Sequence, residues 1–194
     1  MEGVIEVNGL QFKLPPKPKK KDILFSDLKK KEQKWRRTEV PETLFEETAA
    51  QHASFIQQEF DRRKNGVWFM NNGEPTYITG EHYYYLNWCK LDIGYPEYRD
   101  RDRRFFIFWE ICKQDDNCFG MVMVKHRREG ASYKGASMLL NEITSRYNSH
   151  GGIISKTGVD AKALFTDKLV YMFRQLPFFF QPIIDGSDNP KSTL

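Results

Sequence analysis

Ten consecutive residues, KHRREGASYK at positions 125–134, gather the side chains and backbone freedom needed to hold a phosphate. They follow the apolar run FGMVMV, residues 119–124, and open a stretch with helical spacing. A strand that ends in a glycine-containing loop and starts a helix brings unpaired backbone N–H groups and the positive end of the helix dipole to one point, where anions bind. In the usual pattern GxxxxGK[ST], a lysine reaches the β/γ-phosphates and a hydroxyl ligates magnesium. Here Gly130 and Ser132 match the second glycine and the hydroxyl, while Ala131 stands in the lysine position and Lys125 in that of the first glycine. The chemistry requires an ammonium near the phosphates, and Lys125 at the strand end supplies one from the other side of the cradle. Arg127 and Arg128 add charge of the kind that stabilises a transferring γ-phosphoryl group. A basic turn between a strand and a helix accounts for the same residue types, so the loop alone leaves both readings open.

The elements that would position this loop follow from pattern. Residues 119–124 form a continuous apolar run, the signature of a strand buried on both faces, as in a parallel sheet covered by helices. Ala136, Leu139, Leu140, Ile143 and Tyr147 then recur at helical spacing, and NSHGG, residues 148–152, ends that helix. GIIS, residues 152–155, supplies a short second strand. With Asp160 as N-cap, Leu164, Phe165, Leu169, Met172 and Phe173 mark a further helix that Pro177 stops. Strand, loop, helix, strand, helix is the start of a parallel α/β sheet with right-handed crossovers. QPII, residues 181–184, reads as a loop, with Gly186 rather than a glutamate after Asp185.

Upstream, residues 43–63 read as one or two amphipathic helices carrying Leu44, Phe55, Ile56 and Phe60, stopped by Asn65-Gly66. VWFM (67–70), NNGEP (71–75) and TYIT (76–79) read as strand, turn and strand. Thr79 would cap a helix whose aromatics, in GEHYYYLNWCKL, pack into a core. A polar hinge over residues 94–104 leads into FFIFWEIC, residues 105–112, expected as a buried helix, and QDDN turns the chain after it.

The bulk composition is that of a globular chain, 40% hydrophobic and 29% charged. No apolar run reaches the roughly 18 residues of a membrane span, and the N-terminus lacks a signal-peptide core, so a soluble intracellular protein is expected. Cys89, Cys112 and Cys118 and the four scattered histidines form no metal spacing and no disulfide framework. The net charge of +4 is uneven, with +6 in residues 1–37 and −2 in the remainder. KLPPKPKKK, residues 13–21, is expected to be an extended, flexible arm that attracts nucleic acid or is simply solvated.

The arrangement K-x-R-R-x-G-x-S-x-K after an apolar strand resembles the deviant Walker A motif of the large terminase subunits of tailed bacteriophages. GEPTYITGEHYYYLNWCKLD (73–92) and PEYRDRDRRFFIFWE (96–110) are similar to the region preceding that motif, and ISKT (154–157) falls at the family's next strand and polar turn. The resemblance covers residues 65–185 and implies an ATP-driven motor that packages double-stranded DNA into a procapsid. It further implies docking on a portal protein, a small terminase subunit as partner, a ring of copies, work in the host cytoplasm at the portal vertex, and no membrane. By position, Lys125 would contact the β/γ-phosphates, Gly130, Ala131 and the adjoining amides would form the cradle, and Ser132 would hold Mg²⁺ with ATP. Arg127 or Arg128 would sense the γ-phosphate, and residues 98–104 would lie near the adenine.

The implied fold is an incomplete P-loop NTPase-type α/β core over residues 118–194, preceded by a helical and hairpin region over 43–117 and the basic arm over 1–42. The family's strand ending in Asp-Glu and the acidic cluster of its nuclease domain have no counterpart in the sequence, so ATP binding without hydrolysis is expected. Two other functions fit the same residues: a non-catalytic nucleic-acid-binding module using the arm and the Arg127/Arg128 surface, and another P-loop motor such as a helicase.

Overall fold

The computed structural model describes residues 3–182, a mixed α/β chain with two small antiparallel sheets. Contacts divide it into two units. The first takes Met1–Thr38, Gln57–Tyr83 and Glu97–Lys125; the second takes Glu39–Ile56, Tyr84–Pro96 and His126–Leu194. Asp185 and the tail after it lie outside the described residues.

In the first unit, β1 (Val4–Val7) and β2 (Leu10–Lys13) form a hairpin in register Ile5 to Phe12, turned by Asn8-Gly9 with φ of 53° and 78°. Two left-handed residues give the turn whose twist matches that of the strands. Val7 and Phe12 pack with Tyr77 and Ile107 in a core that Trp68, Phe108 and Ile111 flank. Each such side chain contributes about 1.5–3 kcal/mol when fully buried. The 13-residue helix α1, Ala53–Asn65, stops at Gly66, whose φ is +74°. A Cβ there would lie 2.2 Å from the Ile78 carbonyl oxygen, so the stop and the close approach of the following hairpin both require glycine. That hairpin, β3 (Val67–Asn71) and β4 (Glu74–Ile78), is longer than expected, because its turn is only Asn72-Gly73.

The helix expected after Thr79 is α2, Gly80–Trp88, and the Thr79 Oγ1 accepts from the His82 N–H at 3.3 Å. Its Tyr83, Tyr84 and Leu86 are fully buried. The helix α3, Asp100–Gln114, takes in half of the expected hinge as well as FFIFWEIC, with Phe106 and Ile107 fully buried. His82 stacks between Tyr98 and Phe106.

The basic arm is not a loose tail. Ile23 and Gln33 are buried, and Leu24 forms a parallel bridge to Phe69, donating to the Trp68 carbonyl at 3.0 Å and accepting from the Met70 N–H at 2.9 Å. Trp35 meets Phe69 and Tyr83 edge-on. Isolated apolar residues among lysines thus fix a segment that its composition alone assigned to linker. Over residues 43–52 the expected amphipathic helix is absent apart from a 3₁₀ turn at Ala49–His52. The side chains that α1 buries are Glu59 and Arg63 rather than Phe60, and Glu59 accepts from Tyr83 and from Arg62.

In the second unit, α4 (Ala131–Ser145) buries Ala136 and Leu140 as its spacing predicts, while Tyr147 lies beyond it and is exposed. The next helical run begins with α5, Gly158–Leu164, passes through a π-helical turn, Phe165–Val170, and ends with α6, Tyr171–Arg174. Leu169, Val170, Met172 and Phe173 are its buried residues. Its cap is Thr157, not Asp160, since the Thr157 Oγ1 accepts from the Asp160 N–H at 3.1 Å and donates to the Asp160 carboxylate at 2.7 Å. Trp88, Tyr84, Phe179 and Phe180 make a separate aromatic cluster.

The strands expected at 119–124 and 152–155 do not form among the described residues. Phe119, Val122, Val124 and Ile154 are each more than 90% exposed. A strand buried on both faces needs hydrogen-bonding neighbours along its edges, and the one candidate partner within the described chain is a short segment starting in glycine.

Candidate phosphate-binding loop

The candidate loop runs from Lys125, the last residue of the first unit, into the second unit at His126. Lys125 is exposed and lies in irregular backbone, and Arg127 and Arg128 are exposed in a turn. Arg128 adopts φ of 67°, a left-handed conformation that costs a residue with a Cβ roughly 1–2 kcal/mol. Gly130 follows at φ 70° and ψ 14° as the N-cap of α4, with no atom within 4 Å of where a Cβ would sit. Ala131 begins the helix and is half-buried, and Ser132, in its first turn, is exposed. Gly130 has no side chain to cap this N-terminus, and the Lys134 N–H donates to the Gly130 carbonyl at 3.0 Å. The amides of residues 131–133 lie in the first turn of a 15-residue helix, at its positive end.

The structure adds three residues that spacing did not single out. Tyr133, next to Ser132, donates its hydroxyl hydrogen to Asp92, and Lys168 donates both to the Tyr133 oxygen and to Asp92, the latter at 3.3 Å. The Lys168 ammonium also lies 3.9 Å from the centre of the Tyr133 ring. The hydrogen bond from Tyr133, the largest effect, holds the Asp92 carboxyl below its usual range against the opposing effect of burial, with Lys168 adding to it. Burial and then the Asp92 carboxylate push the Tyr133 hydroxyl up. For Lys168, burial works against the charged form, but the bonds to Tyr133 and Asp92 outweigh it and raise the ammonium. Tyr133 is thus fixed at the start of α4 by a charged pair, separated from it in sequence by 41 and 35 residues.

Lys168 also borders a groove of about 400 Å³ lined by Ser155, Lys156, Asp160 and Asp167. Ser155 and Lys156 of ISKT thus line the same groove as Asp160 and Asp167, in irregular backbone rather than a strand. Residues 98–104, expected near an adenine, form the entry to α3: Tyr98 packs on Phe69 and His82, and Arg103 donates to the Tyr77 carbonyl at 2.7 Å.

Among the described residues no group of three or more His, Cys, Asp or Glu is arranged to hold a metal, and no helix is long and apolar enough to cross a membrane. Cys112 and Cys118, on either side of the QDDN turn, are close enough for a thiol hydrogen bond; burial and then this neighbour push the Cys112 thiol up. Comparison with family models, with curated proteins and with solved structures gives no match.

Proposed function

We propose that this chain is the ATP-binding part of a viral DNA-packaging motor, the large terminase subunit, in which hydrolysis by the complete protein drives double-stranded DNA into a procapsid. One observation carries the reading: a basic loop with exposed Lys125, Arg127 and Arg128 enters a 15-residue helix through a left-handed Gly130, with Ser132 exposed in the first turn. The exposed Phe119, Val122, Val124 and Ile154 support it, because in sequence they come before the loop and after α4, where strands of an incomplete P-loop-type parallel sheet are expected. Further strands joining them would convert exposed apolar surface into core.

The residues suit the phosphates of ATP. For Mg²⁺ they offer the Ser132 hydroxyl, so the ion would be held mainly by phosphate oxygens and water, and would neutralise charge on the β/γ-phosphates. Lys125 would face those phosphates, Ala131 and Gly130 would present amides, and Arg127 or Arg128 would sense the γ-phosphate. Portal protein, small terminase subunit, further copies in a ring, and the portal vertex in the host cytoplasm are the setting of this proposal.

Thermal unfolding with and without Mg-ATP tests it. Stabilisation rising with nucleotide is expected, about 2.7 kcal/mol at a hundredfold excess over Kd, and weakened by Lys125→Ala and Ser132→Ala. Turnover by this chain is expected to be undetectable. Absence of nucleotide-dependent stabilisation overturns the reading, and brisk hydrolysis abolished by Lys125→Ala would reveal a carboxylate acting within the chain.

A further inference from the structure

The arm that packs on the first unit displays its charge in a definite way. Residues 13–38 hold eleven Lys and Arg against three Asp and Glu, a net +8 in a chain whose total is +4. All nine lysines of this segment are exposed, and none enters an ion pair among the described residues. The backbone beneath them is pinned between buried Phe12, Ile23 and Gln33, with the Asn72 N–H donating to the Gln33 carbonyl at 2.7 Å. Gln33 closes its own loop through Nε2 to the Leu28 carbonyl at 2.8 Å. The Lys30 stem lies over Gly73, where a Cβ would come within 2.8 Å of it. Like charges are thus held near one another on ordered backbone, where their mutual repulsion opposes folding and an anionic partner would relieve it.

We infer that this lysine track is a docking surface for the phosphate backbone of duplex nucleic acid, read without regard to sequence. Lysine is a point charge suited to single phosphates, whereas readout of base edges favours bidentate arginine or amide side chains. Stacking platforms for single strands need exposed aromatic rings. Within the segment the rings are Phe25 and Trp35, which face each other and Phe69 in the aromatic cluster and are only partly exposed. The track uses none of the loop residues at 125–132, so it stands independently of the nucleotide site.

The test is fluorescence anisotropy of the full chain with a labelled DNA duplex across a salt series. Engagement of about four phosphates gives log K falling with log salt at a slope near −3.6. The quadruple variant Lys20→Gln, Lys21→Gln, Lys29→Gln, Lys31→Gln should weaken binding about 10- to 100-fold at low salt and flatten the slope, with circular dichroism and unfolding temperature unchanged. Arg127→Gln with Arg128→Gln should leave duplex affinity within about twofold, while altering nucleotide-dependent stabilisation if the loop holds ATP. An unchanged slope in the folded lysine variant overturns the proposal. So does tighter binding to single strands, or equal affinity for poly-glutamate, which would make the track a site for acidic protein. Retained ATP stabilisation with lost duplex binding separates failure of the track from failure of the loop.

Discussion

Two segments of similar composition meet opposite fates. In β3, VWFMN, Val67, Phe69 and Met70 are buried and the strand pairs along its length, whereas in FGMVMV, residues 119–124, most apolar side chains face solvent. The difference is the availability of a partner. β3 finds β4 across a two-residue turn, so closing the pair fixes little additional chain, and Leu24 covers its other edge. The second run carries a glycine at 120 that gives a strand nothing to pack, and its expected neighbour lies across a whole helix. Apolar, β-branched composition reports what a segment would do if paired; it does not supply the pair.

The largest test of this contrast is Phe69→Ala, which should cost about 3–5 kcal/mol because a fully buried ring leaves a cavity, measured by urea unfolding of the intact chain. Next, Tyr77, pushed up to about 12 by burial and then by Glu110, should couple the same hairpin to alkaline pH. Its folded value is raised, so its contribution is complete below the unfolded value of 10.0 and is lost as pH climbs towards 12, worth about 2–3 kcal/mol. Tyrosinate absorbance followed alongside unfolding should show ionisation and loss of structure together, and Tyr77→Phe should reduce that part of the pH dependence. A smaller effect, about 1 kcal/mol, is expected for Thr79→Ala, which removes the cap between β4 and α2 and should appear as a lower unfolding midpoint. Smallest of all, Val122→Ser should change stability by less than about 0.5 kcal/mol; a loss comparable to that of Phe69→Ala would mean that the run is buried in solution after all.

Much of this architecture is legible from local signals. Asn65-Gly66 stops a helix, Thr79 starts one, and the aromatics of residues 80–91 are core, whereas of those in 105–112 Phe106 is buried and Phe105, Phe108 and Trp109 are half-buried. The candidate loop is legible in the same sense: its glycine does cap a helix, and its hydroxyl does fall in the first turn. What escaped has a physical cause in each case. Asn8-Gly9 carries a hairpin signal, but it stands beside a lysine-proline segment whose composition dominates the reading. Leu24 and Trp35 have no periodicity to announce them, because each meets Phe69, a residue far along the chain, singly. Thr157 and Asp160 are both good caps three residues apart, and only the geometry selects the first. Asp92 and Lys168 meet at Tyr133 through tertiary contact, which no spacing encodes.

The π-helical turn at Phe165–Val170 has a consequence for alignment around the helix axis. An α-helix advances about 100° per residue, so one residue taken up by a wider turn rotates everything after it by that amount relative to an unbroken helix. Removing a single residue from this turn would therefore act as a twist rather than a shortening. It would swing Tyr171–Arg174 around by about a quarter turn, so that Met172 and Phe173 would leave the core.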